Sequence, residues 1–349
     1  MPGQFEFGLD TFGDVTRSSD GSTLSQAHVL RDVVEEAVLA DSLGLDAFGV
    51  GEHHRRDFSI SAPEVLLAAI AARTHRIVLG SAVTVLSTDD PVRVFQRFST
   101  LNAISDGRAE VILGRGSFTE SYPLFGYDLS RYGELFEDKL SLFAALLKPG
   151  PVTWSGSTRS AIAATTVYPP IEHGTLKTWI GVGGTPDSVV RAARYGLPLT
   201  LAIIGGSPQR FRPYVDLFQQ SLEKAGRAML PIAVHSPGHV APTDEQAKTE
   251  LWPHYQAMIN RIGAERGWPP ASREQFEHEA SPDGSLYAGA PETVAAKIVR
   301  TARLLGLSRF NLKYSAGTLS HETMMRSIEL IGTKVAPLVR EQLSAAPSA

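Results

Sequence analysis

Strand-like apolar runs alternate with helical periodicities along almost the whole chain, and that alternation constrains the fold more than any other feature of the sequence. When each strand is followed by a helix before the next strand begins, the result is a series of βα units and a parallel sheet rather than a sandwich. Phe5–Asp10 reads as the first strand and residues about 25–43 as the first helix, with apolar Leu30, Val33, Ala37 and Ala40 and a stop at Gly44. The second strand ends at Val50, and Pro63 starts the next helix near 62–74 from its first turn. Arg76–Gly80 opens a third strand; Val94, Phe98 and Leu101 then fall at helical spacing before the turn Ser105-Asp106-Gly107. Ala109–Leu113 is a fourth strand, followed by Gly114-Arg115-Gly116 and a helix over about 131–147.

Residues about 149–177, rich in Pro, Gly, Ser and Thr, break this rhythm as an insertion with a hairpin. Order returns with Thr178–Gly181, a helix from Pro186, a strand at Leu197–Ile204, a helix near 208–227 and a strand at Ile232–His239. A second irregular stretch, about 266–288, suits an active-site lid. A helix from Pro291, a strand at Phe310–Lys313 and a closing helix at about 320–343 bring the series to eight strands and eight major helices. The expected fold is a (β/α)8 TIM barrel over residues 1–349 as one domain, with insertions at about 149–177 and 266–288. Such barrels run from roughly 200 to over 400 residues.

Composition narrows the partners. A formal charge of -4, with no basic run and no acidic tail, points away from nucleic acid and anionic membranes and toward a small-molecule substrate. With no cysteine there is no disulfide framework, thiolate nucleophile or Cys-based metal site. Met1-Pro2-Gly3-Gln4-Phe5 lacks the marks of a secretory leader and no 18-residue apolar stretch occurs, so the expected location is the cytoplasm.

Glu52-His53-His54 directly follows the apolar run Ala47-Phe48-Gly49-Val50, which places two imidazoles and a carboxylate on a βα loop. In an α/β barrel the loops at the carboxyl ends of the strands form the catalytic face. Adjacent histidines on extended backbone point in opposite directions, so at most one faces the barrel axis, and they make a poor chelating pair. One is a catalytic or cofactor-contacting imidazole or a core hydrogen-bonding group; Glu52 is a catalytic carboxylate or a buried partner for a neighbouring Arg or Lys.

A second signal is Gly181-Val182-Gly183-Gly184-Thr185-Pro186-Asp187-Ser188, leading from a strand into a helix. Thr185 suits the N-cap, Pro186 the first helical position, and the exposed N–H groups and helix dipole favour an anion such as phosphate; the alternative is a tight turn with an ordinary cap. Arg115 either completes that phosphate site or pairs with Glu120. Ser81-Ala82-Val83-Thr84-Val85 continues the third strand with small residues that would let a flat ring lie against the backbone, or that fill a narrow barrel layer.

Taken in order, Glu52-His53-His54, Gly80-Ser81-Ala82-Val83-Thr84-Val85-Leu86, Pro91-Val92-Arg93, Ser105-Asp106-Gly107-Arg108, Gly114-Arg115-Gly116, Phe125-Gly126, Gly183-Gly184-Thr185, Tyr195-Gly196-Leu197-Pro198 and Gly289-Ala290-Pro291-Glu292 resemble the bacterial luciferase-like flavin-dependent monooxygenase family over nearly the whole chain. The resemblance implies a (β/α)8 barrel that binds reduced FMN at the strand carboxyl ends, activates molecular oxygen and oxidises a small organic substrate. It implies His53 as the active-site histidine with Glu52 beside it, Ala82-Val83 as a non-prolyl cis peptide under the flavin ring with Thr84 next to it, and Arg115, Gly183, Gly184, Thr185 and Ser188 around the phosphate. Gly114 and Gly184 stand where true luciferases carry larger side chains, so the implied relative is a monooxygenase-type cousin rather than a light emitter. A flavin reductase as source of reduced FMN and a homodimer through the early βα helices are implied as well.

Three rival readings remain at this level: a deazaflavin-dependent dehydrogenase or reductase of the same fold, a metal-dependent barrel hydrolase using the two histidines, and a non-catalytic flavin-binding protein. Substrate contacts are expected from residues near 117–130 and 266–288, where Phe118, Tyr122, Phe125 and Tyr127 form an aromatic pocket or are core or interface residues.

Overall fold

The computed structural model describes residues 5–18, 21–172 and 174–345; Met1–Gln4, read above for a leader, lie outside them. Eight parallel strands close into a ring: β1 (Glu6–Thr11), β2 (Ala47–Val50), β3 (Val78–Ser81), β4 (Ala109–Gly114), β5 (Lys177–Val182), β6 (Leu199–Ala202), β7 (Ile232–Val240) and β8 (Arg309–Lys313). The ring is completed by β8 pairing with both β7 and β1, in a register that sets Phe310 beside Val234 and Phe7. The strands are buried on both faces almost throughout, so β2 reads as an unbroken apolar run, whereas β1 and β8 alternate apolar side chains with polar ones.

The outer faces of the strands pack on helices α1 (Gln26–Ser42), α2 (Pro63–Ala71), α3 (Pro91–Ile104), α4 (Tyr132–Leu146), α5 (Pro186–Tyr195) and α6 (Arg212–Lys224) and on their C-terminal counterparts. All but α4 show an entry signal in the sequence: Ser25 and Asp90 accept backbone N–H groups at the starts of α1 and α3, and prolines open α2, α3, α5 and α6. Inside the ring, Ile112, Trp179 and Ala233 form a small apolar layer, against which Val83 packs. Below it Arg309, 1% exposed, is paired with Glu110 and Glu6, and Trp179 Nε1 donates to Glu110 Oε2 at 3.1 Å. These groups plug the N-terminal end, so the barrel opens only toward the carboxyl ends of its strands.

The interruption over about 149–177 contains an antiparallel pair, Val152–Trp154 with Ile162–Thr165. After β7 the structure differs from expectation. The excursion begins well before residue 266: α7 (Asp244–Arg266) and α8 (Arg273–Ala280) precede a short strand, Tyr287–Gly289, and then α9 (Pro291–Leu305). Residues 266–288 themselves hold one short helix, α8, between irregular segments. Only Ala247, Leu251 and Gly263 of α7 are buried and Pro253 lies within it, so no apolar stripe marks this helix. Its start was legible in Thr243 and Gln246, since Thr243 Oγ1 accepts the Gln246 N–H at 3.1 Å. The third strand also stops early, at Ser81, and a separate two-residue strand, Thr84–Val85, pairs with β4.

Among the described residues, no helix is long and apolar enough to cross a membrane, and no group of three or more His, Asp or Glu side chains is arranged to hold a metal ion.

Candidate active site

A cavity of about 390 Å³ opens at the carboxyl ends of the strands, within the range for small-molecule sites. His53, Ala82, Val83, Arg115, Gly183 and Thr185 all line it, so groups drawn from four separate stretches of sequence share one space.

At one end, Arg115 leaves β4 and reaches the start of α5. Its Nη2 donates to Thr185 Oγ1 at 2.8 Å and to Ser188 Oγ at 3.2 Å, and the two hydroxyls are 3.0 Å apart. The guanidinium lies 4.6 Å from the ring centroid of Tyr132. Of the two partners open to Arg115 in the sequence, Glu120 is excluded: it pairs with Arg55 instead. Thr185 occupies the N-cap of α5 but makes no side-chain capping bond, because its hydroxyl is turned to Arg115. A Cβ at Gly183 would meet nothing within 4 Å, which leaves that backbone open to the cavity. A cation, two hydroxyls and a helix N-terminus converge here on the chemistry of a phosphate.

In the middle, the Ala82–Val83 peptide bond is cis and the Val83 side chain drops into a cradle made by glycines on β4 and β5. A Cβ on Gly114 would stand 2.6 Å from Val83 Cγ2, and one on Gly181 would stand 3.0 Å from Val83 Cγ1. The bulkier side chains excluded at these positions would push Val83 up into the space a planar ring needs. Thr84 does not reach the cavity: it is fully buried, and its Oγ1 donates to Ser81 Oγ at 2.9 Å. Gly184 and Ser188 likewise stand behind the wall; the Gly184 carbonyl accepts the Tyr214 hydroxyl at 2.8 Å, and Ser188 acts through Arg115 and Thr185.

At the other end, the two histidines diverge as the extended backbone demands. His53 turns to the cavity inside a box of phenylalanines, with ring centroids 4.6 Å from Phe12, 4.5 Å from Phe58 and 5.2 Å from Phe118. Burial among these rings pushes its pKa down to about 3, so the imidazole is neutral at physiological pH. His54 turns away, its Nε2 2.8 Å from Glu52 Oε1, while Glu52 Oε2 accepts the Val85 N–H at 2.8 Å. Glu52 lines the cavity, yet its carboxylate is engaged on both oxygens, as a buried partner of His54 rather than of an Arg or Lys. It fixes the loop that carries His53.

The four aromatic residues proposed near 117–130 divide. Phe118 roofs His53 and Phe125 meets His54 edge-on at 5.0 Å, whereas Tyr122 is wholly buried in the core and Tyr127 lies under the Lys139 ammonium at 3.7 Å. The roof is tied down by Arg55, which sits 4.5 Å from the Phe118 ring centroid and donates to Glu265 of α7 at 2.8 Å. The sequence reading missed Asp10, Phe12, Tyr132, Thr200 and His235, all of which line the cavity. Asp10 and His235 carried the same signal as Glu52-His53-His54, an ionisable side chain within or at the end of an apolar strand.

Comparison with known proteins identifies the family and the fold. The family model described as luciferase-like monooxygenase matches residues 11–309. A 4-hydroxyprotoasukamycin monooxygenase from Streptomyces nodosus subsp. asukaensis is 27% identical over 92% of this chain and 92% of its own length. Two solved structures share the fold. The oxygenating constituent of 3,6-diketocamphane monooxygenase from Pseudomonas putida, a type II Baeyer-Villiger monooxygenase in complex with FMN, superposes with a TM-score of 0.76 at 19% identity, covering 96% of this chain and 99% of that one. An F420-dependent secondary alcohol dehydrogenase, in complex with an F420-acetone adduct, does so with a TM-score of 0.73 at 17% identity, covering 97% and 99%. The chain belongs to the luciferase-like monooxygenase family.

Proposed function

From that membership we propose that this protein is a monooxygenase that uses reduced FMN and molecular oxygen on a small organic substrate. The observation that carries the reading is the single cavity that joins the Arg115–Thr185 anion site to the His53 imidazole. The residues present fit FMN: a phosphate-type site at one end, a glycine cradle that keeps the middle wall flat, and a buried Thr200 hydroxyl without a hydrogen-bond partner in the same wall.

Arg115, Thr185, Ser188 and the Gly183 backbone would hold the phosphate, while the backbone at Ala82 and Val83 would support the ring. When bound, reduced FMN supplies the two electrons with which one oxygen atom enters the substrate and the other leaves as water. The neutral His53 imidazole donates or accepts one hydrogen bond at the reacting end without adding a positive charge, and so can hold or move a proton there. Phe12, Phe58 and Phe118 keep bulk water from that imidazole. Glu52 acts as a positioning residue, through His54 and the Val85 amide.

A flavin reductase would deliver the reduced cofactor. Val65 on α2, Ile104 at the end of α3 and Tyr168 on the loop beside them are exposed apolar groups of the kind that a second copy of the chain would cover in a homodimer.

Oxygen uptake by the purified protein with reduced FMN, stimulated by an organic substrate and yielding a product one oxygen heavier, is the expected result. Substrate oxidation by an oxidised deazaflavin, or substrate reduction by a reduced one, with no oxygen consumed, would replace this reading with hydride transfer on the same barrel.

A further inference from the structure

His235 and Asp10 meet on the cavity wall and have no part in the scheme above. His235 Nδ1 lies 2.7 Å from Asp10 Oδ2, and the residues are 7% and 1% exposed. They come from β7 and β1, the two strands that flank β8 at the closure of the barrel. Their meeting needs room on β2: a Cβ on Gly49, the register partner of Asp10, would stand 2.0 Å from Asp10 Oδ1. Phe12 stacks on the His235 ring with centroids 5.7 Å apart and planes at 15°. The imidazole is thus held at one nitrogen and on one face.

A carboxylate that accepts from Nδ1–H holds a neutral imidazole in one tautomer and leaves Nε2 as a bare acceptor. Among the described residues the ring makes only the bond to Asp10, and both residues line the cavity. On the neighbouring strand β6, Thr200 Oγ1 is buried, unpartnered and part of the same wall. In the register of β6 and β7, Thr200 pairs with Ala233, two residues before His235, so an open acceptor and an open hydroxyl share one wall and match a ligand edge that carries both an N–H and a carbonyl.

We propose, on the basis of the flavin reading of this cavity, that His235 recognises the polar edge of the isoalloxazine ring, accepting a ring N–H at Nε2, with Asp10 as the positioning residue that fixes its tautomer. Recognition there is independent of the phosphate, so it distinguishes His235 from Arg115.

The test compares oxidised FMN with lumiflavin, which has the ring and no tail, by fluorescence titration. His235→Asn keeps an amide within reach of Asp10 but ends short of the cavity; His235→Gln extends an amide toward the position of Nε2. His235→Asn is expected to weaken both ligands by the same factor, about five- to tenfold, the worth of one hydrogen bond, and His235→Gln to restore most of it. Nitrogen-15 spectra of the ligand-free protein are expected to show His235 protonated at Nδ1, with that preference lost in Asp10→Asn. Wild-type affinity for both ligands in His235→Asn would overturn the proposal and leave the flavin reading standing. An unchanged tautomer in Asp10→Asn would overturn the role of Asp10. Failure of the wild type to bind either ligand would overturn the flavin reading itself, and this proposal with it.

Discussion

His53 meets Phe12 edge-on, with ring centroids 4.6 Å apart and planes at 71°. With Phe58 and Phe118 around it, the imidazole is desolvated and its pKa falls from 6.5 to about 3. The unfolded chain therefore binds a proton between pH 6.5 and about 3 that the folded chain refuses, and stability declines as the pH drops through that window. His53→Gln removes this component: the gap between urea midpoints measured at pH 7 and pH 4.5 is expected to shrink relative to wild type. For the same reason no activity limb near pH 6.5 is expected from His53. His53→Ala is expected to lower turnover by roughly 10²–10⁴-fold while leaving FMN affinity within about twofold; unchanged turnover would rule out its role.

Gly49 is the other half of the Asp10–His235 pair. An added methyl group there would stand 2.0 Å from Asp10 Oδ1 and 3.1 Å from Ala82 Cβ, between two walls of the cavity. Gly49→Ala is expected to destabilise the protein by about 1–3 kcal/mol through overpacking, and to move Asp10 off His235. A melting curve together with the histidine nitrogen spectrum checks both parts.

Lys297 of α9 is buried, and its ammonium donates to the carbonyls of Glu279 at 3.1 Å, Ser281 at 2.6 Å and Leu286 at 2.8 Å. It staples the turn between α8 and the strand Tyr287–Gly289. Lys297→Met fills the volume but removes three hydrogen bonds from those carbonyls, at a cost of about 1–3 kcal/mol. Hydrogen exchange is expected to accelerate at the Gly284 and Leu286 amides, which donate to Ser281 and Glu279, while the β1 and β8 amides stay protected.

The barrel was legible because each of its strands is buried on both faces and each early helix carries its own cap or proline, so period and punctuation agree. Of helix α7 only the start was, through Thr243 and Gln246; its body has three buried residues and no apolar stripe to read. The site shows the same division. Arg115, Gly183, Thr185 and His53 each stand just past a strand, where polar residues cluster visibly in the sequence. Asp10 and His235 are lone ionisable residues in apolar runs 225 positions apart, and only closure of the ring between β7 and β1 brings them together. Thr84 was misplaced because the chain turns at Ala82–Val83, and the hydroxyl that follows is spent on Ser81.

The central claim is that Arg115, 2.8 Å from Thr185 Oγ1, grips a flavin's phosphate in the same cavity that presents His53. Titrating wild type and Arg115→Ala with FMN and with riboflavin, which lacks the phosphate, tests it directly. The expected result is a wild-type preference for FMN that Arg115→Ala abolishes, with FMN weakened roughly 10- to 100-fold, as for a lost charge-assisted hydrogen bond, and riboflavin changed by less than about twofold. Equal losses for both ligands, or a wild type indifferent to the phosphate, would contradict the account.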